Sequence, residues 1–321
     1  MTLQYDPEFW SVLEPLVPTL SKREPLCLDN IKPAREAREA GMRLLFERLD
    51  PCPDVDRRSY DVETTDGYII SVLALTPAVA RADPGPCLLH FHGGGMILGS
   101  AELQVKPLAQ LVSMTAVPVF SVNYRLAPEF KGTIPVEDGY SALLWLHSKA
   151  KEFDINPSRI GVIGESAGGG IAAGVALMAR DKKLNPRLAK QILVYPMIDD
   201  CNMVANEAVE SLAFWKITDN ATAWSALLGD EAGKREACIS YYSAPARAPS
   251  LADLPPTYID VGGLDIFLQE SIKYATKLLA ENVPTELHVY PGLPHGFEML
   301  APNITAAKKA NENRYRAILE I

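Results

Sequence analysis

From residue 87 onward, short β-rich runs alternate with stretches long enough for helices, in which apolar residues return every three or four positions. The runs are Cys87–Phe91, Pro118–Val122, Arg159–Ile163, Gln191–Tyr195, Thr257–Val261 and Glu286–Tyr290. Helices are predicted between and after them at Leu103–Ser113, Glu137–Lys151, Ala167–Asp181, Leu268–Glu281 and Thr305–Glu320. Strands that alternate with helices build βαβ units, so the pattern predicts an α/β chain with a mostly parallel central sheet flanked by helices. Ahead of these units, Tyr60 to Leu75 alternates with period two and is interrupted at Asp66-Gly67, which predicts two antiparallel strands opening the sheet.

Two segments stand outside this rhythm. Residues 1–55 carry helical patterns only: Phe9, Val12, Leu13 and Leu16, then Pro33 to Leu49 with Met42, Leu45, Phe46 and Leu49 on one face. Residues 197–250 interrupt the sheet with Phe214, Trp215, Trp224, Tyr241 and Tyr242 and no clear strand. An insertion of that length inside an α/β sheet points to a lid. The chain therefore divides into N-terminal cap helices at 1–55 and an α/β domain at 56–321 that carries a cap insertion at 197–250.

The chemistry centres on Gly164-Glu165-Ser166-Ala167-Gly168. Isoleucine and valine before the serine predict a buried strand, and the Ala-, Leu- and Met-containing stretch after it predicts a helix. Ser166 then sits on a sharp strand-to-helix turn with only small residues two positions away on either side. A helix starting there aims its free N–H groups at the place where negative charge develops. His92-Gly93-Gly94-Gly95 follows the run Cys87–Phe91, at the carboxyl end of a predicted parallel strand, where open α/β sheets build their sites. Its glycines let backbone N–H groups approach an anion, and with the amide of Ala167 they make a candidate oxyanion hole.

A serine hydroxyl needs a base, and the base needs an acid to orient it. Of five histidines, His90 and His288 fall in predicted strands, His92 in the glycine loop and His147 in a predicted helix. His295, in the loop Pro291 to Phe297 after the last strand, is the candidate base. Asp265, in the loop after Thr257–Val261, is the candidate acid, and the order Ser, Asp, His is that of α/β-hydrolases. Asp260, within its strand, and Asp199 and Asp200, at the start of the insertion, are the rivals.

Composition removes other classes of function. With 48% hydrophobic and 22% charged residues the chain is an ordinary globular protein, and its net charge of −9 argues against a nucleic-acid surface. No run of eighteen apolar residues would span a membrane. The first residues lack the basic and apolar regions of a signal peptide, so the expected compartment is cytoplasmic. Cys27, Cys52, Cys87, Cys201 and Cys238 are scattered without metal-ligand spacing, so neither a disulfide framework nor a metal site is expected, and no cofactor.

Taken together, residues 85–320 resemble the hormone-sensitive lipase group of α/β-hydrolase carboxylesterases. The resemblance rests on His92 to Gly95, Tyr124 to Glu129, the Glu137-Asp138 pair, Gly164 to Gly168, Asp265 and His295-Gly296-Phe297. It implies Ser166 as nucleophile, Asp265 as acid, His295 as base, the glycine loop with Ala167 as oxyanion site, and a helical cap made of the N-terminal segment and the insertion. Three positions depart from the group's usual pattern: Met96 for an aromatic residue, Glu165 for aspartate, and Asp265-Ile-Phe267 for Asp-Pro-Leu. Met96 bears on the acyl pocket, because methionine adapts to irregular space. Glu165, Phe214, Trp215 and Phe267 complete the expected pocket. Arg125, in the Tyr124 to Glu129 segment, is expected to pair with a nearby acid and hold its loop. The implied activity is hydrolysis of short to medium acyl esters of small molecules. Lactone or amide hydrolysis, acyl transfer, and non-catalytic capture of a small molecule are the alternatives. Fungal esterases of this kind include polyketide deacetylases, with which the cap is compatible.

Overall fold

The structure, a computed structural model, describes residues 2–20, 24–79 and 83–321. Eight strands form one sheet: β1 (Val55–Glu63), β2 (Ile69–Pro77), β3 (Gly85–Phe91), β4 (Val119–Val122), β5 (Ile155–Glu165), β6 (Lys190–Val194), β7 (Thr257–Gly262) and β8 (Thr285–Tyr290). Their spatial order is β1-β2-β4-β3-β5-β6-β7-β8. β1 pairs antiparallel with β2, and β2 antiparallel with β4; every later pairing is parallel. The turn at Asp66-Gly67 falls where the alternation breaks: Gly67 has φ 81°, and its N–H bonds the carbonyl of Thr64 at 2.9 Å. β1, at the sheet edge, is largely exposed and buries only Val62 fully, whereas β4 and β7 are buried along their whole length because helices cover both faces.

The helices are α1 (Pro7–Leu13), α2 (Val17–Leu20), α3 (Ile31–Phe46), α4 (Val105–Thr115), α5 (Ile134–Ser148), α6 (Ala167–Asp181), α7 (Glu207–Glu210), α8 (Ile217–Leu228), α9 (Leu268–Ala280), α10 (Phe297–Leu300) and α11 (Thr305–Leu319). Successive strand residues point to opposite faces, so Leu89, Phe91 and Val162 pack with α5, α6 and α9, while Leu88 and Ile163 pack with α4 and α11. All five predicted α/β helices are present: α6 has the predicted bounds, α9 and α11 end one residue early, and α4 and α5 are displaced by two or three residues. α5 begins at Ile134, where Pro135 in the first turn suits a helix start, three residues before the expected boundary. α3 stops at Phe46, which leaves Leu49 beyond the helix.

Residues 197–250 contain no strand, as expected, and are joined directly to the N-terminal helices. The Leu26 N–H donates to Asp219 Oδ1 at 3.0 Å, and Arg38 from α3 meets Asp219 in α8 at 3.1 Å with both side chains buried. The Tyr5 hydroxyl donates to the Leu212 carbonyl at 2.8 Å, and the Phe9 and Phe214 rings lie 5.7 Å apart. α3 also reaches the glycine loop: Arg35 Nε donates to the Ile97 carbonyl at 2.6 Å, and Glu39 accepts the Gly99 N–H at 2.8 Å. Arg125 pairs with buried Asp138 at 2.6 Å and with Asp66 at 2.8 Å, so it ties the loop after β4 to α5 and to the first hairpin. A buried pair of this kind is strongly destabilising to break from one side, because the partner charge is then left uncompensated.

Candidate active site

Ser166 links β5 directly to α6 with φ 57° and ψ −120°. A non-glycine residue there carries strain of about 1–3 kcal/mol and persists only where its surroundings over-determine it. Here the Ser166 N–H donates to the Val194 carbonyl at 2.8 Å, and its own carbonyl accepts from the amides of Met197 at 2.9 Å and Gly170 at 3.1 Å. The flanking glycines are required by close approach. A Cβ at Gly164 would lie 2.2 Å from the Gly168 carbonyl oxygen, and one at Gly168 would lie 1.9 Å from that of Phe91.

His295 enters from the loop between β8 and α10. Its Nε2 lies 3.0 Å from Ser166 Oγ and its Nδ1 2.6 Å from Asp265 Oδ2. The second oxygen of Asp265 accepts the Phe267 N–H at 2.9 Å, so the carboxylate is held at both ends in a site only 2% exposed. A carboxylate can only accept, so Nδ1 carries the proton and Nε2 is left to accept from the serine hydroxyl. Ser166 is itself 6% exposed, and the rings of Tyr195 and Phe267 stand edge-on to the imidazole at 4.6 and 5.2 Å.

The rival acids lie elsewhere. Asp260 binds Arg314 through both oxygens at 2.6 and 2.9 Å. Asp200 binds Arg247 at 2.5 and 2.8 Å, and Asp199 accepts the Cys201 N–H at 2.9 Å. Asp199, Asp200 and Cys201 are close enough to share an ion, but the charge of Asp200 is already met by Arg247.

The glycine loop runs beside the serine: a Cβ on Gly93 would sit 3.5 Å from Ser166 Cβ. Gly94 and Gly95 have φ of 121° and 61°. Ala167 is the first residue of α6, so its N–H has no acceptor within the helix. The loop is stiffened from behind, where the Tyr124 hydroxyl donates to the His92 carbonyl at 2.7 Å and the two rings stack at 4.2 Å. His92 is 1% exposed, and burial lowers its pKa from the usual 6.5 to about 4, although its bond to the Gly93 carbonyl works the other way. Because the folded value is the lower one, acid protonates the unfolded chain first, and stability is lost as pH falls from about 6.5 to about 4. The His92 contribution is expected to be about 3 kcal/mol across that window. Comparing denaturant midpoints of the parent and His92→Asn at pH 7 and pH 4.5 checks this. An equal acid loss in both proteins would remove His92 as a cause.

Among the side chains expected around a pocket, Trp215 and Phe267 meet groups of the site. A Cβ on Gly95 would touch the Trp215 ring at 2.9 Å, and Phe267 packs on His295. The remaining three make other contacts. Met96 is buried with its methyl toward Gly170 on α6, and Phe214 packs between Phe9 and Tyr5. The Glu165 carboxylate meets His90 Nε2 at 2.9 Å, while His90 Nδ1 meets the Ser121 hydroxyl at 2.8 Å. Burial alone would raise the Glu165 carboxyl, yet the contact with His90 holds it below the usual carboxylate range. Sequence reasoning passed over Tyr195, Arg35 and Glu39. The position of Tyr195 at the carboxyl end of a parallel strand was an available signal, whereas nothing local marks the other two.

Three comparisons with known proteins show what the chain is similar to. Residues 88–299 match the α/β-hydrolase fold. The esterase LipI of Mycobacterium tuberculosis is 35% identical over 237 residues, 70% of this chain and 69% of that protein. The carboxylesterase NlhH of the same species is 32% identical over 265 residues, covering 77% of this chain and 78% of that protein. The solved structure of a bacterial heroin esterase superposes with a TM-score of 0.88 at 32% identity, covering 98% of this chain and 97% of that one. No helix among the described residues is long and apolar enough to cross a membrane. With the family match spanning most of the chain and esterases among the relatives in both sequence and structure, the chain belongs to the α/β-hydrolase fold family, in its hormone-sensitive-lipase-like branch, and is a carboxylic ester hydrolase.

Proposed function

We propose that the chain hydrolyses short to medium acyl esters of small molecules through an acyl-enzyme formed on Ser166. His295 takes the serine proton as Oγ attacks the ester carbonyl, and Asp265 holds the imidazole and stabilises its charged form. The amides of the loop Gly93 to Gly95 and of Ala167 surround the place where the carbonyl oxygen becomes an oxyanion. His295 then hands the proton to the departing alcohol. Water repeats the attack with His295 again as base and releases the acid. The observation that carries this reading is the continuous chain of contacts from Ser166 Oγ through His295 to Asp265, at 3.0 and 2.6 Å. No step needs a metal or an organic cofactor.

The limit on acyl size follows from what lies over the site. Residues 1–55 and 197–250 act as a cap: Trp215 abuts Gly95, α3 grips the loop that follows, and Ser166 is nearly enclosed. An enclosed site selects by shape, and each methylene that fits or fails to fit changes the rate about 10- to 200-fold. Measuring kcat/KM for p-nitrophenyl esters from acetyl to palmitoyl tests the assignment. A maximum at short or medium chains is expected. A profile that rises steadily to palmitoyl would overturn the cap reading, and no turnover of any ester would overturn the substrate class.

A further inference from the structure

The groups that hold the imidazole of His295 extend beyond Asp265. Tyr195 follows β6 with φ 36°, in the left-handed region that a bulky residue rarely adopts, and its ring stands 4.6 Å from the imidazole at an interplanar angle of 64°. It is only 1% exposed, so in this structure it faces the imidazole and not an open pocket. Both ends of the residue are tied down. Its N–H donates to the Asp260 carbonyl at 2.6 Å, and its hydroxyl donates to Glu298 Oε1 at 2.8 Å. That same Glu298 oxygen accepts from Arg314 Nη1 at 2.7 Å, and the Arg314 guanidinium grips the Asp260 carboxylate through two bonds at 2.6 and 2.9 Å. The Arg314 guanidinium also lies over the Tyr195 ring at 5.6 Å. The contacts therefore close a loop: Tyr195 backbone to Asp260, Asp260 to Arg314, Arg314 to Glu298, and Glu298 back to the Tyr195 hydroxyl. β6, β7, α10 and α11 all converge on one ring, although none of these charged groups touches Ser166.

We propose that Tyr195, anchored by Glu298, Arg314 and Asp260, is a positioning residue that holds the His295 imidazole in line with Ser166 and Asp265. The proposal rests on the triad reading above. Phe267 packs edge-on at 5.2 Å and Tyr195 at 4.6 Å, so the imidazole is confined by two rings while Asp265 fixes one nitrogen. With the Tyr195 ring gone, the imidazole can swing about its bond to Asp265, and the Nε2 to Oγ alignment is lost for part of the time. Misplacement of a reacting group by about 1 Å costs up to about 10²-fold in rate. The loss falls on kcat, because Tyr195 binds no substrate.

The test is a double-mutant cycle on p-nitrophenyl acetate, with Tyr195→Leu made in the parent and in His295→Ala, and folding checked by near-ultraviolet circular dichroism. In the parent, Tyr195→Leu is expected to lower kcat about 10- to 100-fold with KM unchanged. In His295→Ala, the residual rate is expected not to change when Tyr195 is replaced, because the group it positions is already absent. An equal loss of rate in both backgrounds would overturn the proposal, as would a rise in KM with kcat intact, which would make the ring a substrate contact. If Tyr195→Leu does not fold, Tyr195→Phe carries the same comparison: it keeps the ring, drops only the bond to Glu298, and should show a smaller kcat loss confined to the parent background. A His295→Ala protein with parental activity would overturn the triad reading itself, an outcome legible without any Tyr195 variant.

Discussion

Replacing Ser166 with alanine should abolish ester hydrolysis, lowering kcat by on the order of 10⁴ or more while leaving the fold in place. Alanine keeps the Cβ that the φ 57° turn already accommodates, and the backbone bonds to Val194, Met197 and Gly170 do not involve the hydroxyl. What disappears is the oxygen 3.0 Å from His295 Nε2, which the proposed mechanism uses as nucleophile. The proposed oxyanion donors do not involve the hydroxyl, so substrate should still bind. The measurement is kcat beside a thermal melt. Retention of more than about a tenth of parental activity, with an unchanged melt, would sink the assignment of Ser166.

A second large effect is expected from Gly168→Ala, through the backbone. A Cβ there would lie 1.9 Å from the Phe91 carbonyl oxygen and 2.7 Å from that of His92, and neither atom can step aside as a flexible side-chain tip could. The N-terminus of α6 would have to retreat from the end of β3, which is the approach that sets the glycine loop beside Ser166. Relief of such a clash costs several kcal/mol, within reach of the whole stability of a domain, about 5–15 kcal/mol. Loss of soluble folded protein, or a strongly lowered denaturant midpoint together with loss of esterase activity, is the expected outcome. Gly41→Ala provides the contrast. That glycine lies inside α3 with nothing within 4 Å of an added Cβ, so the substitution should stabilise the protein by up to about 1 kcal/mol. Equal midpoints for Gly168→Ala and the parent would show that the contact between β3 and α6 is looser than described.

Much of this protein was legible in the sequence because the relevant physics is local. Gly164 and Gly168 stand where only glycine fits, and buried parallel strands such as β4 and β7 read as short β-rich runs because both faces are covered. Asp265 and His295 could be chosen because each follows the carboxyl end of a parallel strand, and the topology of an open α/β sheet gathers those ends in one place. Ends of elements were read less well: α5 starts at Ile134, and α3 stops before Leu49. Those boundaries are set by capping and by neighbouring elements as well as by periodicity.

The tertiary structure alone decided the pairings. Nothing near Arg38 in the chain marks Asp219 as its partner 181 residues away, and nothing near Arg314 marks Asp260, 54 residues earlier in the chain. Arg125 was expected to find some acid, but only packing selected both Asp138 and Asp66. Glu165 and Phe214 were expected near a substrate, yet Glu165 meets His90, and Phe214 joins α1 to the insertion. The reason is common to all of these cases. A backbone turn is limited by sterics within a few residues, whereas the partner of a charge or a ring depends on which surfaces meet when the sheet, the N-terminal helices and the insertion pack. The sequence by itself therefore determined the α/β architecture, the sharp turn at Ser166 and the candidate triad; the packed molecule decided which side chains surround those three residues.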